Sequence, residues 1–166
     1  MAEITKDDET QLVVFRMEKE EFACNINDVR EVLKMIKVTP LPRSLDFVEG
    51  VINLRGDVIP VIDLRKRFGL AEAERTDESR IIIVEVEDRM VGLIVDSVTE
   101  VIRLMEKQIQ DAPSQVAGGK TDLIMGVGKV DERMLIILNL DRILTVEEQV
   151  ALDGISQPGK ERSANQ

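Results

Sequence analysis

One pattern occurs twice in this chain, and that duplication limits the folds open to it. Leu12-Val13-Val14-Phe15 leads through Glu18-Lys19-Glu20 to Phe22-Ala23-Cys24-Asn25-Ile26, and then to Asp28-Val29-Arg30-Glu31-Val32-Leu33. Ile81-Ile82-Ile83-Val84 leads through Glu87-Asp88-Arg89 to Val91-Gly92-Leu93-Ile94-Val95, and then to Ser97-Val98-Thr99-Glu100-Val101-Ile102, at a constant offset of 69 residues. Further on, Gly50-Val51 with Asp63-Leu64 returns as Gly126-Val127 with Asn139-Leu140 at an offset of 76, so the second copy holds seven extra residues between Ile102 and Gly126. Two copies are too few for a stacked solenoid. They point to two similar small β units packed as a pseudo-symmetric pair.

Each copy reads as two hairpins. Strands are expected over about 11–18 with 21–26 and 79–86 with 89–95, joined by charged turns. A second pair is expected over Val48–Leu54 with Val58–Ile62 and Ile124–Val130 with Met134–Leu138, around turns at Arg55-Gly56-Asp57 and Asp131-Glu132-Arg133. Between the hairpins a short helix is predicted. Asn27 or Asp28 would cap the first, with Val29, Val32 and Leu33 as its stripe. Asp96 or Ser97 would cap the second, with Val98, Val101 and Ile102. Closing helices are predicted from Leu64 to Phe68, ending at Gly69, and from Leu140 to about Ala151, with Asp63 and Asn139 at the caps. Pro60 inside a strand pattern predicts an edge strand or a bulge. Lys107 to Asp122 is the most loop-like internal stretch. Residues 1–10 and 153–166 read as flexible tails around a body at 11–152, in which the repeats cover 12–68 and 81–144.

The inventory for chemistry is thin. The chain has no histidine, which removes the Ser-His-Asp and Cys-His routes to an activated nucleophile. Its single cysteine, Cys24, aligns with the apolar Leu93 of the other copy and reads as a core thiol. One cysteine excludes an intrachain disulfide and a multi-cysteine metal site, and the usage fits a reducing, cytoplasmic setting. Gly118-Gly119-Lys120-Thr121 ends like a phosphate-binding loop, but Ser114 stands where the pattern needs glycine, so a plain loop is the reading. No catalytic residue, metal or cofactor is expected. A net charge of −10 without a basic stripe argues against nucleic acid, and no apolar run is long enough to enter a bilayer. With no Trp or Tyr, arginine and aliphatic anchors would have to carry recognition. The two copies are asymmetric at the second turn, where Asn53-Leu54-Arg55-Gly56-Asp57 in copy one corresponds to Lys129-Val130-Asp131-Glu132-Arg133 in copy two.

The string from Phe47 to Leu64, above all Asn53-Leu54-Arg55-Gly56-Asp57-Val58-Ile59-Pro60-Val61-Ile62-Asp63, resembles the signature of the chemotaxis coupling protein family, CheW. Ile26 to Leu33, Val91 to Asp96 and Met134 to Leu140 resemble it too, so the likeness covers about 11–150. The same module resembles the regulatory domain of the kinase CheA and the first domain of CheV. The resemblance implies a mainly β fold of two pseudo-symmetric, five-stranded SH3-like barrels with short helices, joined around an aliphatic interface. It implies no enzymatic activity. The role it implies is an adaptor that links the cytoplasmic tips of membrane chemoreceptors to the regulatory domain of CheA. Carried over by motif, the receptor-binding residues would be Val29, Glu31, Val32, Asn53, Leu54, Arg55 and Gly56, in a groove between the barrels; the kinase-contacting residues stay unassigned. Two other readings stand beside this one, a self-assembling structural module and a β-barrel that binds a small ligand.

Overall fold

The computed structural model describes residues 9–42, 47–71, 73–111 and 123–143. The first tail up to residue 8, the second tail, the Gly118–Thr121 stretch and the closing helix beyond Ile143 lie outside them. The chain divides into two compact units, one built from residues up to Val29 with Asp96–Ile143, the other from Arg30–Val95.

Among the described residues the fold is carried by eleven strands: β1 (Glu9–Met17), β2 (Glu20–Asn25), β3 (Val29–Lys34), β4 (Val48–Leu54), β5 (Asp57–Asp63), β6 (Arg80–Val86), β7 (Arg89–Val95), β8 (Ser97–Met105), β9 (Ile109–Asp111), β10 (Ile124–Val130) and β11 (Arg133–Leu138). The four expected hairpins are all present. At Arg55-Gly56 and Glu87-Asp88 both central residues have positive φ, the pattern whose twist matches the flanking strands. The first unit is a six-stranded sheet in the order β8-β1-β2-β11-β10-β9, and the second a five-stranded sheet in the order β3-β6-β7-β5-β4.

The units do not follow the repeats. In the first, β1 and β2 come from copy one and β8 to β11 from copy two; in the second, β3 to β5 come from copy one and β6 and β7 from copy two. The seams where the copies meet include one parallel pairing in each sheet. Val61 aligns with Gly92 across β5 and β7, and Ile137 aligns with Ala23 across β11 and β2. Shifting Val61 by 76 gives Ile137, and shifting Ala23 by 69 gives Gly92, so the two seams have one register. The bulges repeat as well, between Val48 and Gly50 and between Ile124 and Gly126. The sixth strand of the first unit has the same origin. β9 pairs Gln110 with Val127, and in copy one the corresponding contact is the single bridge from Thr39 to Val51.

Both predicted inter-hairpin helices are strands instead. One 3-10 turn, Ile26–Asp28, precedes β3; Asn25 caps it, its Oδ1 accepting from Asn27 N at 2.8 Å. Along β3 the half-buried Val29, Glu31 and Leu33 alternate with the exposed Arg30, Val32 and Lys34, so Val29 and Val32 lie on opposite faces. In the second copy β8 runs straight on from Ser97, while Asp96 Oδ2 accepts from Glu18 N at 2.8 Å. The residues of the supposed stripes are mostly β-branched, and these pack better on a pleated sheet than on a helix. Pro60 lies on an interior strand and not at an edge. β5 sits between β7 and β4, and the β7 ladder spans Val61 to Asp63, so Pro60 precedes it and needs no N–H there.

The helix α1 (Leu64–Arg67) forms as expected, with Asp63 Oδ1 accepting from Arg65 N at 2.9 Å. Its equivalent in copy two is a 3-10 turn, Leu140–Arg142, whose cap residue Asn139 makes no side-chain bond. Each unit has its own aliphatic core: Leu12, Val14, Ala23, Leu104, Leu135 and Ile137 in the first, and Ile52, Ile59, Val61, Ile81, Ile83 and Ile94 in the second. Each such larger aliphatic side chain stabilises the fold by about 1.5–3 kcal/mol relative to exposure.

Candidate functional site

The β4–β5 turn of the second unit is built to hold one arginine in the open. Asn53 Oδ1 accepts from Gly56 N at 2.9 Å and closes the turn. Arg55 adopts φ 53° at its first central position, and Gly56 the φ of 94° that glycine takes without strain. The Arg55 side chain then reaches back to β3, donating from Nη2 to Glu31 Oε1 at 2.6 Å and from Nη1 to Glu31 Oε2 at 3.2 Å. This two-pronged pairing holds the Glu31 carboxyl below its ordinary range, chiefly through the hydrogen bonds from Arg55. The Arg55 side chain is still 69% exposed. It is fixed in direction and accessible at once.

Around this pair lies an open cavity of 340 Å³. Glu31, Leu54 and Arg55 line it together with Asp57, Asp88, Arg89 and Met90. Its floor is apolar, since Leu54 and Met90 pack onto the core of the second unit. The topology explains the company. β5 and β7 run parallel, so the turns that precede them, Arg55-Gly56 and Glu87-Asp88, emerge at the same end of the sheet.

Of the seven residues singled out from the sequence, Glu31, Leu54 and Arg55 share this cavity, and Asn53 and Gly56 form the turn beside it. Val29 lies on the same side of β3 as Glu31, while Val32 faces the other way and is 42% exposed. Sequence reading missed Asp57, Asp88, Arg89 and Met90. Asp88-Arg89 was visible as a hairpin turn, but only the crossed assembly of the copies brings that turn to this end.

The first unit answers with a different arrangement. Glu100, the counterpart of Glu31, accepts from Arg133 Nη2 at 2.6 Å, and Glu21 accepts from the same nitrogen at 2.5 Å. These two bonds push the Arg133 pKa upward. Arg133 is therefore held by two carboxylates, whereas Arg55 leans on one. Cys24 is fully buried, and burial, helped by Asp28, pushes its thiol up to about 12, so it offers no thiolate at neutral pH. Among the described residues no group of acidic or cysteine side chains is arranged to hold a metal. No helix among them is long and apolar enough to cross a membrane.

A duplicated β body with an open cavity beside an exposed, paired arginine fits a protein that binds other proteins. The comparisons with known proteins agree. The scaffolding protein TtCheW from Thermoanaerobacter tengcongensis has a solved structure that matches this chain with a TM-score of 0.78 and 42% identity, covering 84% of this chain and 94% of its own. The chemotaxis protein CheW of Bacillus subtilis is 40% identical over 82% of this chain and 88% of its length, and that of Rhizobium meliloti 36% over 85% and 91%. A family model for the CheW-like domain matches residues 11–148. The chain belongs to the CheW-like family, among the adaptor and scaffold proteins of chemotaxis.

Proposed function

We propose that this chain is a non-catalytic adaptor of the cytoplasm that couples the signalling tips of chemoreceptors to the regulatory domain of the kinase CheA. The observation that carries the reading is Arg55, whose side chain is 69% exposed yet fixed by Glu31 and by its turn. Receptor tips are helices. A helix that lays an apolar stripe over Leu54 and Met90 would bring a carboxylate within reach of Arg55, with the apolar neighbours excluding water from that bond. Glu31, Asn53 and Gly56 then serve as positioning residues for the arginine, with Val29 and Val32 on the adjoining strand. The absence of histidine and the buried, protonated Cys24 support a role without chemistry. Receptor state would reach the kinase as a shift between arrangements of bound partners.

The test is calorimetric binding of Arg55→Asp and the parent to a receptor-tip fragment and, separately, to the regulatory domain of CheA. The variant is expected to lose at least about tenfold in receptor affinity, since a like charge now faces the partner's carboxylate, and to keep its kinase affinity and its fold. Receptor binding equal to the parent's would remove Arg55 from the interface. Binding of neither partner by the parent would remove the adaptor reading.

A further inference from the structure

Among the described residues two methionines lie open to solvent, and they share one face of the first unit. Met134 on β11 is 62% exposed and Met125 on β10 is 51% exposed. Along β10 the row Met125, Val127 and Lys129 alternates with the buried Gly126 and Gly128. Val127 aligns with Ile136 and Lys129 with Met134, so these side chains stand together on the outer side of the hairpin. Leu135 and Ile137 point the other way, into the core. The remaining sulfur atoms are better covered. Met17 is fully buried, Met35 and Met90 pack half-buried against the core of the second unit, and Met105 is half-buried at the end of β8. The one thiol, Cys24, is fully buried.

We infer that the outer face of β10 and β11 is a site of reversible oxidation, at which a peroxide converts Met134 and Met125 to sulfoxides. The thioether sulfur donates a lone pair to one peroxide oxygen. The O–O bond breaks, an S–O bond forms, and the departing hydroxide takes the proton of the transferred oxygen. The sulfur is oxidised by two electrons, and hydrogen peroxide is reduced to water. Accessibility directs the reagent to this face. Cys24 competes poorly, because a buried protonated thiol is a weak nucleophile, and Met17 is reached only when the fold opens. Each sulfoxide replaces a soft apolar group by a polar one. At Met134 the new oxygen stands across the ladder from Lys129, which has no ion pair among the described residues and whose ammonium is a ready donor. Neither residue belongs to the core, so the body stays folded while the patch of Met125, Val127, Met134 and Ile136 turns from apolar to polar.

The experiment treats the full chain with hydrogen peroxide and follows each methionine by peptide mass spectrometry. Met125→Leu/Met134→Leu, which keeps every other sulfur, is treated beside it, and unchanged melting checks its folding. Met134 and Met125 are expected to oxidise at least about tenfold faster than Met17 and ahead of Met35, Met90 and Met105. Cys24 should stay unmodified and the melting transition of the parent should be kept. The oxidised parent should elute earlier from a hydrophobic-interaction column, while the treated variant should not move. Methionine sulfoxide reductase should return the parent to its original elution. Sulfoxide appearing on Met35, Met90 or Met105 as fast as on Met134, or a cysteine that reacts first, would overturn the site. Unfolding of the parent on oxidation would overturn it as well. An equal elution shift in the variant would show that this face is not what changes. Sulfoxides that the reductase leaves in place would refute the reversibility.

Discussion

Arg55 holds Glu31 by both oxygens, at 2.6 and 3.2 Å, across 24 residues of chain. The carboxyl pKa is lowered in the folded state, so the pair's contribution is complete above the unfolded glutamate value and fades as pH falls through the lower folded one. In a carbon-detected NMR titration, Glu31 is expected to show a midpoint below about 4.3, the value of a free glutamate side chain. Arg55→Ala should move it upward. Identical midpoints in the two proteins would mean that the pair does not exist in solution.

Gly50 and Gly56 separate steric need from conformational need. A Cβ on Gly50 would sit 2.0 Å from the Thr39 carbonyl oxygen, at a φ of 147°, whereas one on Gly56 meets nothing within 4 Å. Gly56→Ala should cost about 1–2 kcal/mol, the left-handed penalty alone. Gly50→Ala adds a backbone collision to a strain of about 1–3 kcal/mol, so it should be clearly the worse in urea denaturation. Equal midpoints would contradict the close approach to Thr39.

The two helix caps offer a paired test. Asp63 bonds Arg65 N and also meets Arg75 at 3.3 Å, while Asn139 makes no capping bond. Asp63→Ala is expected to lose about 0.5–2 kcal/mol of stability by calorimetry. Asn139→Ala should lose less, and a larger loss there would show that the cap is closed in solution.

Cys24 should resist thiol reagents at pH 8 for as long as the protein stays folded, because its pKa of about 12 leaves little thiolate. Cys24→Ser puts a hydroxyl in an apolar site and should destabilise by about 1–3 kcal/mol. Rapid labelling of the native protein by a maleimide would refute the burial.

The sequence alone was enough for the hairpins, since each turn is a short charged or glycine-containing break between β-branched runs, and the pairing along them is local. It failed at β3 and β8. There Val29, Val32 and Leu33 fit a helical period on paper, but Glu31 is half-buried because Arg55 meets it, a contact 24 residues away that no local pattern encodes. The motif led to Arg55 directly. Asp57, Asp88, Arg89 and Met90 came into view only with the parallel seam between β5 and β7, because a seam between distant segments leaves no trace in composition or spacing.

The trading of strands between the copies bears on how such a molecule arises. A chain with a single copy would make β1 with no β8 beside it and β5 with no β7, leaving bare edges on every half-built sheet. Two such chains would satisfy one another only by reaching across, each finishing its neighbour. Joined in one chain, the two copies finish each other's sheets without a second molecule.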